Sequence, residues 1–189
     1  MKKRALAGIL ALLSSLIWTL YAHASSQRFK DEVGREVILP FPPKKIVSLA
    51  PNITEILFSL GLDQEIVGVS THCNFPEKAK RKVRVGSYIS LDFEKIVSLK
   101  PDLIIATGAG NTRDMVERLE GLGFPTYVIF PKNVTDVIGS IGHLSQLVGR
   151  EKEGVKIIQE MKNRRERVVE LTRGLPRPRV FLQIGEAPI

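Results

Sequence analysis

Between residues 45 and 130 the chain switches three times from a short apolar stretch to a segment with helical periodicity. Each apolar stretch is too short for a helix and is bounded by glycine, proline or polar residues, which is typical of buried strands. Strands that alternate with helices favour a parallel sheet, because the helices carry the chain back across its faces. The sequence therefore predicts an α/β fold with helices on both faces of a mainly parallel sheet. The predicted strands are residues 46–49, 65–70, 103–106 and 126–129.

The helical segments carry start and stop signals. Asn52 is predicted to cap the first helix, with Glu55 three residues later and Gly61 as its stop. Asp92 is predicted to cap the second helix, which ends before Pro101. Ahead of these units, residues 29–45 predict a small hairpin that turns at a glycine and leads into a proline-rich segment.

Two further helices and a strand are predicted in the last third of the chain. Residues 134–148 place apolar side chains on one stripe. Residues 151–173 contain no proline and would form a rod of roughly 34 Å at ~1.5 Å per residue. The polar stretch "KNRRER" separates the apolar ends of this rod, which favours a strut between two bodies over one amphipathic helix lying along one domain. Residues 180–184 then predict the first strand of a second body.

The first 24 residues have the three parts of a secretory signal peptide. Cations at positions 2–4 precede an apolar run over residues 5–20, and Ala22 and Ala24 suit cleavage after Ala24. A membrane anchor is the alternative, but the run is shorter than the ~20 apolar residues that a span needs. No cysteine lies directly after the apolar run, so a lipid-anchored form is not expected. We expect a periplasmic protein.

Charge and cysteine content limit the partners of the exported chain. The net charge is +8, and much of the excess lies in the signal peptide, "KNRRER" and "RGLPRPR", which we interpret as solvated surface. We therefore expect no nucleic-acid partner. Cys73 is the only cysteine, so the chain has no internal disulfide. A monomer is expected.

No set of residues in the sequence predicts catalysis. Gly108 and Gly110 resemble the start of a dinucleotide loop, but Arg113 stands where the third glycine would be. A Walker loop, a nucleophile elbow and a His-x-x-x-His pair are all missing from the sequence. His72 and Cys73 are adjacent, a spacing that does not place both on one metal in a regular element. We expect neither an enzyme nor a resident cofactor.

The loops after the predicted strands are the candidate binding site, because open parallel sheets bind ligands at the carboxyl ends of their strands. An imidazole, a phenol and backbone that is accessible at glycines, all at one edge, suit a large, flat ligand with a polar rim. These loops are Ala50-Pro51-Asn52, residues 71–76, Gly86-Ser87-Tyr88 and residues 108–111.

Four segments carry a family resemblance: "KKIVSLAPNITEILFSLG", "GVSTHCNFP", "SLDFEKIVSLKPDLIIATG" and "RVFLQIG". In order and spacing they resemble the solute-binding proteins of ABC importers for cobalamin, haem and ferric siderophores, from about Lys45 to the end. The resemblance implies two α/β lobes joined by one long helix, with the ligand between them. With the signal peptide over residues 1–24, it implies an N-terminal lobe over 25–148, an inter-lobe helix over 149–175 and the start of a truncated second lobe over 176–189.

The resemblance also implies roles for three residues. Tyr88 falls where the family has an aromatic residue against the ligand; the alternative is a ring that only packs its loop. His72 falls on a second aromatic position and could be an axial ligand to cobalt or iron, or a loop histidine bonded to backbone. Glu94 falls on the glutamate that docks to arginines of the permease; the alternative is an acid favoured by the helix dipole.

Together these features predict a receptor that captures a corrinoid outside the inner membrane and passes it unchanged to an ABC permease. The ligand-binding residues would be His72, Tyr88, Ala50, Pro51 and Asn52. A haem or ferric-siderophore receptor, which also takes a small-molecule metal chelate, is the alternative within the class. A sensory or interaction domain acting on a membrane partner is the alternative outside it.

Overall fold

The computed structural model describes residues 25–87 and 89–182. The predicted signal peptide, Tyr88 and residues 183–189 lie outside the described residues. The strands are β1 (Ser25–Lys30), β2 (Glu36–Phe41), β3 (Ile46–Ser48), β4 (Ile66–Val69), β5 (Val83–Arg84), β6 (Gly86–Ser87), β7 (Ser90–Leu91), β8 (Leu103–Thr107) and β9 (Thr126–Ile129). The helices are α1 (Pro51–Ser59), α2 (Phe93–Leu99), α3 (Arg113–Gly121), α4 (Val134–Leu147) and α5 (Glu151–Thr172), with a 3-10 turn at Glu77–Arg81.

A parallel five-stranded sheet forms the centre of the fold, in the order β5-β4-β3-β8-β9. The predicted parallel sheet is confirmed. From β3 the chain first adds β4 and β5 on one side, and then returns to add β8 and β9 on the other. The strand order therefore reverses between β3 and β8, and a crevice opens there at the carboxyl edge.

Each face of the sheet has its own apolar core, because successive strand residues point to opposite faces. Along β8, Leu103 and Ile105 join one core while Ile104 and Ala106 join the other. Helices α1 and α4 cover the first core, and α2 and α3 cover the second. The prediction of helices on both faces is confirmed.

The predicted hairpin is formed by β1 and β2, whose turn contains Gly34 at φ +89°. β2 places Val37 and Leu39 in the core below α1 and α4. The turn reaches the β9 edge of the sheet, where the Glu32 amide donates to the Val128 carbonyl oxygen at 3.1 Å. The hairpin thus closes one side of the lobe.

The start of α1 differs from the prediction. The helix begins at Pro51, with Ala50 at its N-cap and no side-chain cap, so the predicted Asn52 cap is wrong. Proline is favoured in the first helical turn because the amide that it lacks would have no partner there. The Asp92 cap of α2 is confirmed, since this carboxylate accepts a hydrogen bond from the Lys95 amide at 2.9 Å.

The long helix α5 packs on the lobe through its first turns, and Arg165 further along donates to the Thr135 hydroxyl of α4 at 3.4 Å. Gly154 is buried against Ser145 of α4, where an added Cβ would lie 2.3 Å from Ser145 Oγ. From residue 162 onwards every described residue is exposed. The role of this helix as a strut between two bodies stays a prediction. None of the described helices, α5 included, combines the length and apolar character needed to cross a bilayer.

The strand predicted over residues 180–184 is not seen where the structure describes it. Val180, Phe181 and Leu182 form neither helix nor strand, and all three are exposed. A strand needs a partner for its backbone groups, and these three residues have none in the sheets of the described chain. The rest of the predicted strand lies outside the described residues.

Candidate functional site

The carboxyl edge of the sheet brings most of the predicted site residues together. Ala50, Pro51 and Asn52 follow β3, and His72 lies in the loop that follows β4. β3 and β4 are neighbouring strands, and the Ser70 amide donates to the Ser48 carbonyl oxygen at 3.0 Å where they end. The two loops therefore leave the sheet side by side, next to the crevice between β3 and β8.

The predicted ligand-binding residues differ in solvent exposure. Ala50 is buried, Pro51 is half-buried, and Asn52 and His72 are exposed. His72 is therefore accessible at the edge, while Ala50 is accessible at most through its backbone. Tyr88 lies outside the described residues, so its predicted contact stays a prediction.

A buried polar network beneath the edge joins the loops that follow β3 and β4. Thr54 of α1 places its hydroxyl 2.7 Å from the Ser48 hydroxyl and 3.1 Å from Cys73 Sγ. Ser70 Oγ lies 3.1 Å from the same sulfur atom. Satisfied buried polar groups tie the elements that they connect. The network anchors the loop on both sides of His72, and the sequence pattern did not reveal it.

Arg84 holds the same loop from β5. Its Nη1 donates to the Ser70 carbonyl oxygen at 3.0 Å and to the Cys73 carbonyl oxygen at 2.7 Å. These two carbonyl groups flank Thr71 and His72, so one guanidinium group spans the turn. Charge-assisted bonds of this kind are stronger than neutral ones. The backbone that presents His72 is thus fixed in place by neighbouring strands.

The β6–β7 hairpin borders the His72 loop. The Thr71 amide donates to the Gly86 carbonyl oxygen at 2.8 Å. Gly86 has φ +95°, and a Cβ there would lie 2.3 Å from the Ser90 carbonyl oxygen. Only glycine fits this position. The hairpin also exposes Ile89, 67% of whose surface is accessible, next to the predicted Tyr88 contact.

The glycine loop after β8 folds around Asn111. The Asn111 side-chain oxygen accepts a hydrogen bond from the Thr107 backbone amide at 3.0 Å. The Asn111 backbone amide donates to the Thr107 carbonyl oxygen at 2.9 Å. Asn111 is buried, and Thr112 caps α3 directly after it. The loop is a closed turn after β8, on the other side of β3 from the His72 loop.

Glu94 lies in the exposed first turn of α2, which follows the β6–β7 hairpin. The turn is well ordered by its neighbours: the Arg118 guanidinium of α3 lies 3.9 Å from the centre of the Phe93 ring. Asp92 caps the turn, and the hydrogen bonds from the Lys95 amide and ammonium hold the pKa of its carboxyl below the usual range. Glu94 is thus presented on a rigid helix end, suitable for contact with a protein partner.

No group of three or more His, Cys, Asp or Glu side chains in the described part of the chain is arranged to hold a metal ion. An axial ligand to a metal that is already chelated needs only one imidazole. His72 can act in that way, and this role stays a prediction.

Two exposed aromatic side chains also lie in loops at the carboxyl edge. Phe75 in the His72 loop is 64% exposed, and Phe130, the first residue after β9, is 39% exposed. Sequence reasoning singled out neither side chain, although Phe75 lies in the predicted loop 71–76 and each aromatic residue directly precedes a proline. They extend the apolar part of the candidate site to both ends of the edge.

Comparisons with known proteins agree on the class of this chain. The family described as periplasmic binding protein matches residues 46–188. A vitamin B12-binding protein of Vibrio vulnificus (strain CMCP6) is 36% identical over 148 residues, which cover 78% of this chain and 54% of that protein. The uncharacterised ABC transporter substrate-binding lipoprotein YvrC of Bacillus subtilis (strain 168) is 29% identical over 164 residues, 84% of this chain and 52% of that protein.

Solved structures show the same similarity. The crystal structure of the periplasmic vitamin B12 binding protein BtuF of Vibrio cholerae superposes with a TM-score of 0.66 at 34% identity, over 71% of this chain and 53% of that chain. The periplasmic heme-binding protein RhuT from Roseiflexus sp. RS-1 gives a TM-score of 0.66 at 27% identity, over 71% of this chain and 52% of that chain. The chain spans about half the length of the curated relatives that it matches.

Proposed function

The chain belongs to the periplasmic binding protein family, and from that membership we propose that it captures cobalamin outside the inner membrane and delivers it unchanged to the permease of an ABC importer. The observation that carries the proposal is the similarity to vitamin B12-binding proteins, which extends over 148 residues of the chain. The partner would be that permease, the chain would act as a monomer, and its signal peptide would be cleaved after Ala24 on export.

The geometry of the edge supports a large, flat ligand. Pro51, Phe75 and Ile89 offer apolar surface, and His72 and Asn52 offer polar groups beside it. The buried network and Arg84 hold the His72 loop before any ligand arrives, which lowers the entropy cost of binding. A corrinoid combines a broad apolar ring with polar side groups, and it matches this arrangement.

A haem or ferric-siderophore receptor is the second candidate. Exposed His72 favours it, because an imidazole is a common axial ligand of haem iron. Haem-binding proteins also occur among the structural relatives. The two candidates differ in whether His72 bonds to a metal or only lies against the ring.

A titration of the exported chain with cyanocobalamin, aquocobalamin and haem tests the proposal. We expect saturable binding that is tighter for the cobalamins, and His72→Ala should weaken it about tenfold through loss of an edge contact. The measurement is calorimetry together with absorbance spectra. Tighter binding of haem, with a Soret shift that His72→Ala abolishes, would instead assign the site to haem. Gln146→Ala is the control, because Gln146 is an exposed polar residue on α4 rather than in a strand-end loop.

A second experiment tests the proposed permease contact at Glu94. Glu94→Ala should weaken docking to the permease in proteoliposomes about fivefold, since an exposed carboxylate that meets arginines gains roughly 1 kcal/mol. Ligand affinity should not change, because Glu94 is not one of the predicted ligand contacts. Glu153→Ala is the matched control: Glu153 is also an exposed acid in a first helical turn, so it shares the helix-dipole effect without the contact. Equal docking by wild type and Glu94→Ala would remove Glu94 from the interface.

A further inference from the structure

Phe130 is placed at the far end of the carboxyl edge from His72. It is the first residue after β9, and 39% of its surface is exposed. An isolated exposed aromatic residue is ordinary on a protein surface. Phe130 differs because three separate contacts fix its backbone and its ring.

The first contact is with the glycine loop. The Phe130 ring lies so close to Gly108 that a Cβ built on this glycine would be 2.8 Å from Phe130 Cδ2 and 3.1 Å from Phe130 Cγ. Gly108 is therefore needed for the ring to occupy its place. The Gly108 amide also donates to the Ile129 carbonyl oxygen at 2.9 Å, which ties the loop to the residue just before Phe130.

The second and third contacts involve charged groups. The Phe130 amide donates to Glu32 Oε2 at 2.7 Å, and the other oxygen of Glu32 lies 3.2 Å from His143 Nδ1. The Lys132 ammonium lies 5.4 Å from the centre of the Phe130 ring, within the range of a cation–π interaction. The hairpin, α4 and the residues after β9 thus hold the ring in one orientation. Binding sites need side chains fixed in this way.

The position across the edge matches the size of the proposed ligand. β4, which leads to His72, and β9, which leads to Phe130, are separated by β3 and β8 in the sheet. Three spacings of about 4.8 Å place the two strand ends roughly 14 Å apart. Pro51 and the Gly108 loop lie between them. This width suits a tetrapyrrole-sized ring laid across the crevice.

We infer that Phe130, seated on Gly108 and held by Glu32, forms the wall of the ligand site at the β9 end and contacts the apolar periphery of a flat macrocycle. The inference rests on the proposed function, which supplies the class of ligand. Phe130 would then limit the ligand site at the β9 end of the edge, opposite the His72 loop.

A double-mutant cycle with cyanocobalamin as the probe tests this role. Phe130→Ala should weaken binding about tenfold, and Phe130→Leu should lose less because it keeps part of the apolar contact. Gly108→Ala should also weaken binding, since its methyl group displaces the ring. In the Phe130→Ala background Gly108→Ala should cost nothing further, because the ring that it displaces is gone. Ile38→Ala, which truncates an apolar residue on β2 that is more exposed than Phe130, is the control and should bind as wild type does.

The outcomes separate the two claims. Affinity of Phe130→Ala within twofold of wild type, with the wild type binding saturably, would overturn the Phe130 assignment alone. Fully additive losses in the cycle would also overturn it, because Gly108 would then act independently of the ring. A wild-type chain that binds neither cyanocobalamin nor haem up to about 1 mM would overturn the proposed function as well. Thermal melting of each variant checks that the fold is kept.

Discussion

Replacing Asp31 with alanine is expected to lower the free energy of unfolding by about 3 kcal/mol. The Asp31 side chain is fully buried and forms an ion pair with Arg35 at 2.6 Å. It also accepts hydrogen bonds from the Arg35 amide at 2.7 Å and the Val33 amide at 3.1 Å. Its removal leaves several donors without an acceptor in the interior. We place the cost at the lower end for a buried pair, because 31% of the Arg35 side chain is exposed.

The effect should extend beyond the hairpin turn. Asp31 lies within 3.4 Å of the Val128 amide, and Arg35 donates to the Thr126 carbonyl oxygen at 3.0 Å, so the pair joins the hairpin to β9. Neighbouring Glu32 holds the Phe130 amide. Loosening the turn should therefore speed hydrogen exchange at Phe130 as well as at Arg35.

Urea denaturation measures the stability loss, with an exposed ion pair as the control. Arg28 and Glu36 form a pair at 2.7 Å, but both side chains are 64% exposed, so Glu36→Ala should cost less than about 1 kcal/mol. Asp31→Asn keeps one acceptor oxygen and should fall between the two variants. An Asp31→Ala variant as stable as Glu36→Ala would show that the turn rearranges to satisfy its donors.

Gly86→Ala is expected to be the most damaging single change next to the site, with a loss of about 3 kcal/mol or more. Two effects add at this position. Gly86 has φ +95°, which side-chain-bearing residues rarely adopt, and the new Cβ would meet backbone at 2.3 Å and 2.8 Å, at Ser90 and Asp92. Backbone atoms of a short hairpin cannot move aside without breaking its hydrogen bonds. We therefore expect the β6–β7 hairpin to open locally.

Gly61→Ala separates strain from collision. Gly61 follows α1 with φ +80°, but no atom lies within 4 Å of an added Cβ, so only the backbone strain of about 1 kcal/mol applies. Urea denaturation should show the difference between the two variants. Hydrogen exchange should show faster loss of protection at the Thr71 amide in Gly86→Ala alone, because that amide donates to the Gly86 carbonyl oxygen. Equal losses in both variants would mean that the hairpin absorbs the added methyl group.

The alternation of short apolar stretches with helical segments determined the class of fold without any long-range information. Buried strands and amphipathic helices have different periods, and the handedness of parallel connections leaves few arrangements. The predicted β9 matches the observed strand, and α4 and α5 end within a residue of their predicted limits. The edge that carries Ala50, Pro51, Asn52 and His72 follows from the same pattern, since parallel strands end together.

The tertiary structure decided the features that depend on contacts between distant residues. α1 begins at Pro51 with Ala50 at its N-cap, so a local capping rule misplaced its first residue, while Thr54 within the helix bonds to Ser48 and Cys73. Asp31 and Phe130 look like an ordinary turn acid and a strand-end aromatic in sequence. They acquire their roles from partners on other elements: Asp31 from Val128, and Phe130 from Gly108 and Glu32. Sequence periodicity reports which face of an element is apolar, but only the packed sheet determines which loops meet and which side chains fix one another there.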